Sequence, residues 1–342
     1  MAYATFNKPS LHFNSVLYTG NGGTNAITGV GFQPDFVWIK VRDDTSSHRI
    51  FDNVRGVTKR LKPDQNEAEA TGATELTTFG ADGFTVGSSA AINGNGENHV
   101  AWNWKASNST AANSDGDIAS TVSVNTSAGF SVVKWTANGS QTDGVGHGLG
   151  VAPKIVLYKE INQAGSWYWL YKYVDGTLDY LTLNTNTAKS DSNLSTYGFT
   201  TSTTITNFGF ANTRELIAYC FAEKTGYSKL GFYTSNGNAD GPFIYTGFKP
   251  ALVLVKNVSS TAHWMLYDNK RDVDNPNTKA LMPDLSNAED VNAENVDFLS
   301  NGFKCRGTGV KLNNSTDKFI YMAFAAEPLV ANVGQSIPAT AV

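Results

Sequence analysis

A short corner motif occurs three times in this chain, and no other feature narrows its fold as much. "GVGFQPDFVWIK" at 29–40, "GLGVAPKIVLYK" at 148–159 and "YTGFKPALVLVK" at 245–256 each read as a glycine turn, a proline (Pro34, Pro153, Pro250) and a strand apolar on both faces. Glycine supplies the positive φ of the turn, and proline is tolerated at a strand entrance because no ladder yet needs its missing N–H. The match extends in both directions. Upstream lie "VLYTGNGG", "VVKWTANGS" and "LGFYTSNGN"; downstream lie "DGFTVG", "YGFTTS" and "NGFKCR", followed by closing strands "HVAWNWKA", "LIAYCFAE" and "IYMAFAAE". The landmarks keep one order at a spacing of about 100–120 residues, the size of a domain rather than of a solenoid turn. One domain has been copied twice.

Each copy is built of segments rich in branched and aromatic residues, bounded by Gly, Pro, Asn and Asp clusters about every 8–12 residues, the spacing of a sandwich or jelly roll. The expectation is an all-β chain of three tandem related β-sandwich (jelly-roll-like) domains. Repeat 1 covers 1–106, a linker 107–120, repeat 2 121–226, repeat 3 227–330 and an extended tail 331–342. The linker, "SNSTAANSDGDIAS", is small and polar enough to be flexible, whereas "EKTGYSKLG" at 223–231 is short and should hold repeats 2 and 3 close. The best helical candidate is "SNAEDVNAENVDF" at 286–298, about two turns.

Composition removes several functional classes. Hydrophobic residues make up 41% of the 342 and charged residues 16%, with a net charge of −4. That excludes a disordered chain and offers no field for a polyanion, so no nucleic-acid ligand is expected. The basic stretch Lys59-Arg60-Leu61-Lys62 runs into Asp64, Glu67 and Glu69 and reads as a solvated strand end. The start lacks the basic and apolar regions of a secretion signal, and no run of 18 apolar residues occurs, so synthesis in a cytoplasm without membrane insertion is expected. Cys220 and Cys305 fall in stretches that do not correspond, which reads as two free thiols.

The search for reaction chemistry is short. There is no phosphate-binding G-x-x-x-x-G-K-[ST] loop, no G-x-S-x-G elbow and no H-E-x-x-H. Among five histidines, His147 in "GVGHGLG" reads as a turn residue bonded to backbone. Asp43-Asp44 and Glu289-Asp290 sit in polar contexts and read as solvated loops, and Asp115 with Asp117 in "NSDGDIAS" lacks the bidentate acid of a calcium loop. No catalytic residue, metal or cofactor is assigned. Two patterns are more telling. Asp52 with Arg55 and Asp268 with Arg271 occupy the same place in repeats 1 and 3, an acid three residues before an arginine, as in a turn closed by charge-assisted hydrogen bonds. Repeat 2 has Tyr171 there, within "SWYWLYKY", where a period of two puts Trp167, Trp169, Tyr171 and Tyr173 on one side. These rings either pack on a neighbouring domain or subunit or form a platform for sugar rings.

Taken together, "VLYTGNGGTNAITGVGFQPDFVWIKVRDDTSSHRIFDNVRGV", "GFTVGSSAAINGNGENHVAWNWKAS", "HGLGVAPK", "IAYCFAEKTGYSKLGFYTSNGNADGPFIYTGFKPALVLVK" and "FLSNGF" with "YMAFAAEPLV" resemble a family of tailed-bacteriophage virion proteins abundant in marine phages, usually labelled tail fibre or uncharacterised structural protein. The resemblance runs over essentially the whole chain. It implies a non-enzymatic virion component, made in the host cytoplasm and built into the particle among other virion proteins. A tail fibre knob or adaptor that contacts a host-surface glycan is expected before a capsid-surface decoration protein, and either before a glycan depolymerase. A homo-oligomer is expected, a trimer before other states. Without a coiled coil or a collagen-like repeat, a compact knob is expected rather than a rod.

Overall fold

The structure is a computed structural model, and it describes residues 6, 8–191, 199–207, 210–291 and 294–328. The fold is all-β. In every repeat the same four strands form a large antiparallel sheet in the order first, closing, corner, return. In repeat 1 these are Phe13–Thr19, Asn98–Trp104, Phe36–Val41 and Arg49–Asp52. In repeat 2 they are Phe130–Thr136, Glu215–Phe221, Ile155–Glu160 and Trp167–Tyr171. In repeat 3 they are Ser228–Thr234, Lys318–Pro328, Phe248–Asn257 and Met265–Asp268. A small sheet covers one face of each: Asn25–Ile27, Gly83–Val86 and Leu76–Gly80 in repeat 1, Gly144–Gly146 with Thr204–Thr206 in repeat 2, and Asp240–Tyr245, Gly302–Arg306 and Asn295–Leu299 in repeat 3.

The corner strands are apolar on both faces because both faces are covered. In repeat 1, Val37 and Ile39 point into the sandwich with Ile27, Phe84 and Val86. Phe36 and Trp38 point the other way, into a second core shared by all three repeats. That shared core is where the copies meet. Trp104, Phe221 and Phe324, the equivalent residues of the three closing strands, touch one another edge to face with ring centroids 6.5, 5.5 and 6.1 Å apart. They mark an approximate threefold axis inside a single chain. Trp102, Trp104, Trp167, Trp169 and Trp264 are all buried around it. Exposing each would cost on the order of 1.5–3 kcal/mol, so the three sandwiches hold one another as a single body.

Three expectations are corrected. The 107–120 segment is not a free linker: Ala111–Asn113 and Ser120–Asn125 extend the large sheet of repeat 2, which reaches eight strands. Its start is fastened by the buried Asp35 carboxylate, which accepts from Ala106 N at 2.5 Å and Asn108 N at 3.2 Å. Burial pushes that carboxyl up to about 6. Second, the helical candidate at 286–298 forms a bridge at Asp290 and a strand over Asn295–Leu299, residues 292–293 lying outside the described set. Val296 and Phe298 are buried two apart, and that strand period wins over the helical one. Third, the landmark "YGFTTS" at 197–202 is not the small-sheet strand of repeat 2; Thr204–Thr206 is, and 197–198 lie outside the described residues, as does the tail 331–342. Among the described residues no helix is long and apolar enough to cross a membrane.

Candidate functional site

The acid–arginine turns of repeats 1 and 3 are superimposable in their bonding. Asp52 Oδ1 accepts from the backbone N–H of Val54 and Arg55, and its Oδ2 accepts from Arg55 Nε at 2.5 Å. Asp268 does the same with Lys270 N, Arg271 N and Arg271 Nε at 2.6 Å. Both ion pairs are fully buried. Burial pushes the Asp268 carboxyl up, but the charge and hydrogen bonds of Arg271 outweigh it and hold the group below its ordinary value.

Each carboxylate also receives a donor from another repeat. Trp102 Nε1 of repeat 1 donates to Asp268 Oδ2 at 3.0 Å, and the Tyr219 hydroxyl of repeat 2 donates to Asp52 Oδ2 at 2.7 Å. At the third position of this ring Tyr171 stands in place of the acid and Met322, in the same core, in place of the donor, so no acid–donor bond forms there. A second ring closes in the same sense. Trp167 starts its return strand, His48 and Trp264 stand at the equivalent place just before theirs, and each ring nitrogen meets a carbonyl of the next repeat: Met282 at 3.2 Å, Lys62 at 2.8 Å and Thr182 at 3.3 Å. His48 Nδ1 accepts from Trp38 Nε1, so its Nε2 carries the proton. Burial, then the charge of Lys40, keeps this imidazole neutral. Glu289, expected in a solvated loop, instead accepts from both Arg42 and Arg271 and ties repeat 1 to repeat 3.

The aromatic strand of repeat 2 belongs to the same interior. Trp167, Trp169 and Tyr171 are buried, Trp169 packs on Trp264 at 5.2 Å, and Tyr173 is half-buried against the shared core. A sugar platform on these residues is therefore corrected to a contact between repeats. The corner prolines Pro34, Pro153 and Pro250 are buried as well.

Sequence reasoning missed three lysines that end the repeated corner, Lys40, Lys159 and Lys256. All are buried on the central face. Each ammonium donates to the carbonyl of the following residue, Val41, Glu160 or Asn257, at 2.7, 2.5 and 2.7 Å. Burial, with no carboxylate in contact, pushes all three down to about 8. Their recurrence at the end of "VWIK", "VLYK" and "VLVK" was the available signal.

Sequence reasoning also passed over the face that stands open to solvent. In repeat 3, Phe243 and Tyr245 lie on the outer side of the small sheet, 45% and 60% exposed, while Ile244 between them points into the sandwich. The Phe243 ring rests over Gly302, where a Cβ would come within 2.9 Å of it. Lys304, opposite Phe243, and Arg306 flank the rings with Asp240 and Asp297. Lys304 Nζ and Arg306 Nη1 reach Asp240 Oδ1 at 2.7 and 2.9 Å, and Arg306 Nε reaches Asp297 Oδ2 at 2.6 Å. The equivalent positions are Ala26 and Thr28 in repeat 1 and Gly144 and Gly146 in repeat 2. Repeat 2 has filled its face: the Asn113 carboxamide takes the space a side chain on Gly146 would need, and Ile118 pairs with Val145.

Two acidic groupings serve the fold. Asp175, Asp179 and Asp191 surround the ammonium of Lys189 at 2.7, 3.0 and 2.8 Å, so a cation of the chain's own occupies their centre. Asp115 and Asp117 line a cleft of about 380 Å³ with Thr142, Thr200, Thr201 and Thr204, but they accept from Asn113 Nδ2 and Gly144 N and shape a turn. Burial pushes the His147 imidazole below its ordinary value, and the ring sits between Leu149 N and the Thr201 carbonyl.

Comparison with curated proteins finds no match, and comparison with solved structures finds none either. One family model spans all three repeats, from residue 8 to residue 328: the chain belongs to the family described as "Domain of unknown function (DUF7483)".

Proposed function

We propose that this chain is a structural component of a bacteriophage particle, most readily of its tail, that contributes to attachment at the host surface by binding rather than by catalysis. The observation that carries the attachment reading is the open aromatic face of Phe243 and Tyr245 on a body whose other large aromatics are mostly turned inward. The resemblance of the repeated motifs to virion proteins supports the particle. The closed ring supports a rigid knob, because each repeat braces the other two through buried contacts. The inner surfaces of the repeats are used by one another, so further copies of the chain, or neighbouring virion proteins, would meet it through outer faces. The buried acids Asp52, Asp268 and Glu289 are engaged with arginines, which suits scaffolding better than proton transfer at a glycosidic bond.

The approximate threefold axis favours one rival placement, a decoration protein seated on a threefold position of a capsid shell. Gold-labelled antibody against the chain, applied to purified particles, separates the two. Label at the tail tip is the expected result; label on the head alone moves the protein to the shell, and absence of the chain from washed particles removes the virion reading. Release of reducing ends from host envelope polysaccharide by the purified chain would overturn the non-enzymatic part.

A further inference from the structure

The geometry points to an uncharged polysaccharide as the ligand of the repeat 3 face, with Phe243 and Tyr245 stacking on successive sugar rings. This rests on the attachment reading of that face and names what it would hold. The two residues stand two apart on one strand, about 6.8 Å along it and on the same side, a spacing on the scale of neighbouring units in a sugar chain. Hexose rings offer flat C–H faces to such π surfaces, while their hydroxyls need donors and acceptors alongside. Both are supplied: Lys304 and Arg306 donate, and Asp240 and Asp297 accept, at the flank of the two rings.

The charge pattern selects the class of glycan. Two cations and two carboxylates neutralise each other here, and the chain as a whole is at −4, so no surplus of positive charge waits for uronate or sulfate. Pairing with a strand of another protein is disfavoured at this edge. Asp240–Tyr245 carries Pro242, which has no N–H to donate, and its register with Gly302–Arg306 slips between Asp240 and Phe243. Area argues the same way. Two half-exposed rings offer about 200 Å² of contact, well under the roughly 800 Å² per partner of a stable protein interface. The other two repeats sharpen the assignment, because the same positions hold small side chains in repeat 1 and are filled from within in repeat 2.

The test is calorimetric titration of the full chain with cellohexaose, mannohexaose and maltohexaose, and with an oligogalacturonate of equal length as the charged control. Binding to at least one neutral hexamer is expected, weaker by about tenfold or more in the F243A/Y245A double variant, whose melting temperature should match the parent. Four results overturn the proposal: no neutral hexamer bound, affinity unchanged in the double variant, preference for oligogalacturonate, or concentration-dependent self-association that the double variant abolishes, which would make a second copy the occupant. The outcome is separable from the particle reading. A chain that binds neutral hexamers yet is missing from virions keeps this site and loses the phage assignment; one found at the tail tip that binds none does the reverse.

Discussion

The inner junctions and the outer faces of the three repeats have been treated differently, although both began as copies. At the junctions the positions answer one another: where repeats 1 and 3 present Asp52 and Asp268, the neighbouring copies present the Tyr219 hydroxyl and Trp102 Nε1, and where repeat 2 presents Tyr171 the neighbour presents Met322. A change on one side leaves a buried group without its partner unless the other side changes too. Outer faces carry no such obligation, and there the copies hold alanine and threonine, a filled pair of glycines, and an aromatic pair. Burial makes the copies agree with each other; exposure leaves them free to acquire a ligand.

The largest effect should come from unbalancing one junction. Replacing Asp268 with Ala leaves the Arg271 guanidinium, itself fully buried, with only Glu289 for countercharge and strips Trp102 Nε1 of its acceptor. A loss of about 3–5 kcal/mol is expected in guanidinium unfolding. The matching change at the third junction, Tyr171→Phe, should stay within about 0.5 kcal/mol, because that hydroxyl has no hydrogen-bond partner among the described residues. Equal losses at the two sites would mean that the ring bonds are incidental to stability.

Trp167→Ala belongs beside it. The indole is buried, stacks 6.4 Å from Tyr219 and donates to Lys62 in the neighbouring repeat, so removal should cost about 3–5 kcal/mol. A variant of unchanged melting temperature with weakened adsorption to host cells would return the aromatic strand to the surface.

A smaller, pH-dependent effect should come from Lys40, Lys159 and Lys256. Their folded values, about 8, lie below the ordinary 10.5, so between these limits the unfolded chain binds more protons than the folded one. Stability should therefore climb as pH rises from about 8 towards 10.5, by roughly 1–3 kcal/mol per lysine, and each burial penalty is fully present below pH 8. Replacing all three with Met should flatten that rise in melting temperature; a slope that survives would assign it to other groups.

How far the molecule could be read from its sequence follows the same division. The triplication, the strands, the corner and the Asp–Arg turns rest on local periodicity and turn chemistry, and these are properties of short segments. What covers a strand is not. The alternation in "SWYWLYKY" shows two faces, but Trp167 and Trp169 are buried by other repeats and Leu170 by its own small sheet, contacts made with residues far along the chain. The segment "PFIY" has the same alternation and stays open on one side because no described residue crosses it. The 107–120 stretch misleads for a related reason: its small polar residues suit a flexible tether, and equally suit a strand that must lie close against Gly144 and Gly146.

The gentlest perturbation tests whether the outer faces are as independent as the comparison holds. Ala26 and Thr28 occupy, in repeat 1, the positions of Phe243 and Tyr245, both are exposed, and Gly83 lies across from them as Gly302 does in repeat 3. Because both positions are exposed, the A26F/T28Y chain should keep its stability to within about 0.5 kcal/mol. If two aromatic rings on this sheet suffice to hold a sugar chain, titration with the bound hexamer should then show a second, weaker site, weaker because Thr85 stands where repeat 3 has Lys304. Adding Thr85→Lys should narrow the gap. A grafted face that stays silent while the parent site binds would show that the flanking charges of repeat 3, rather than its rings, supply most of the affinity.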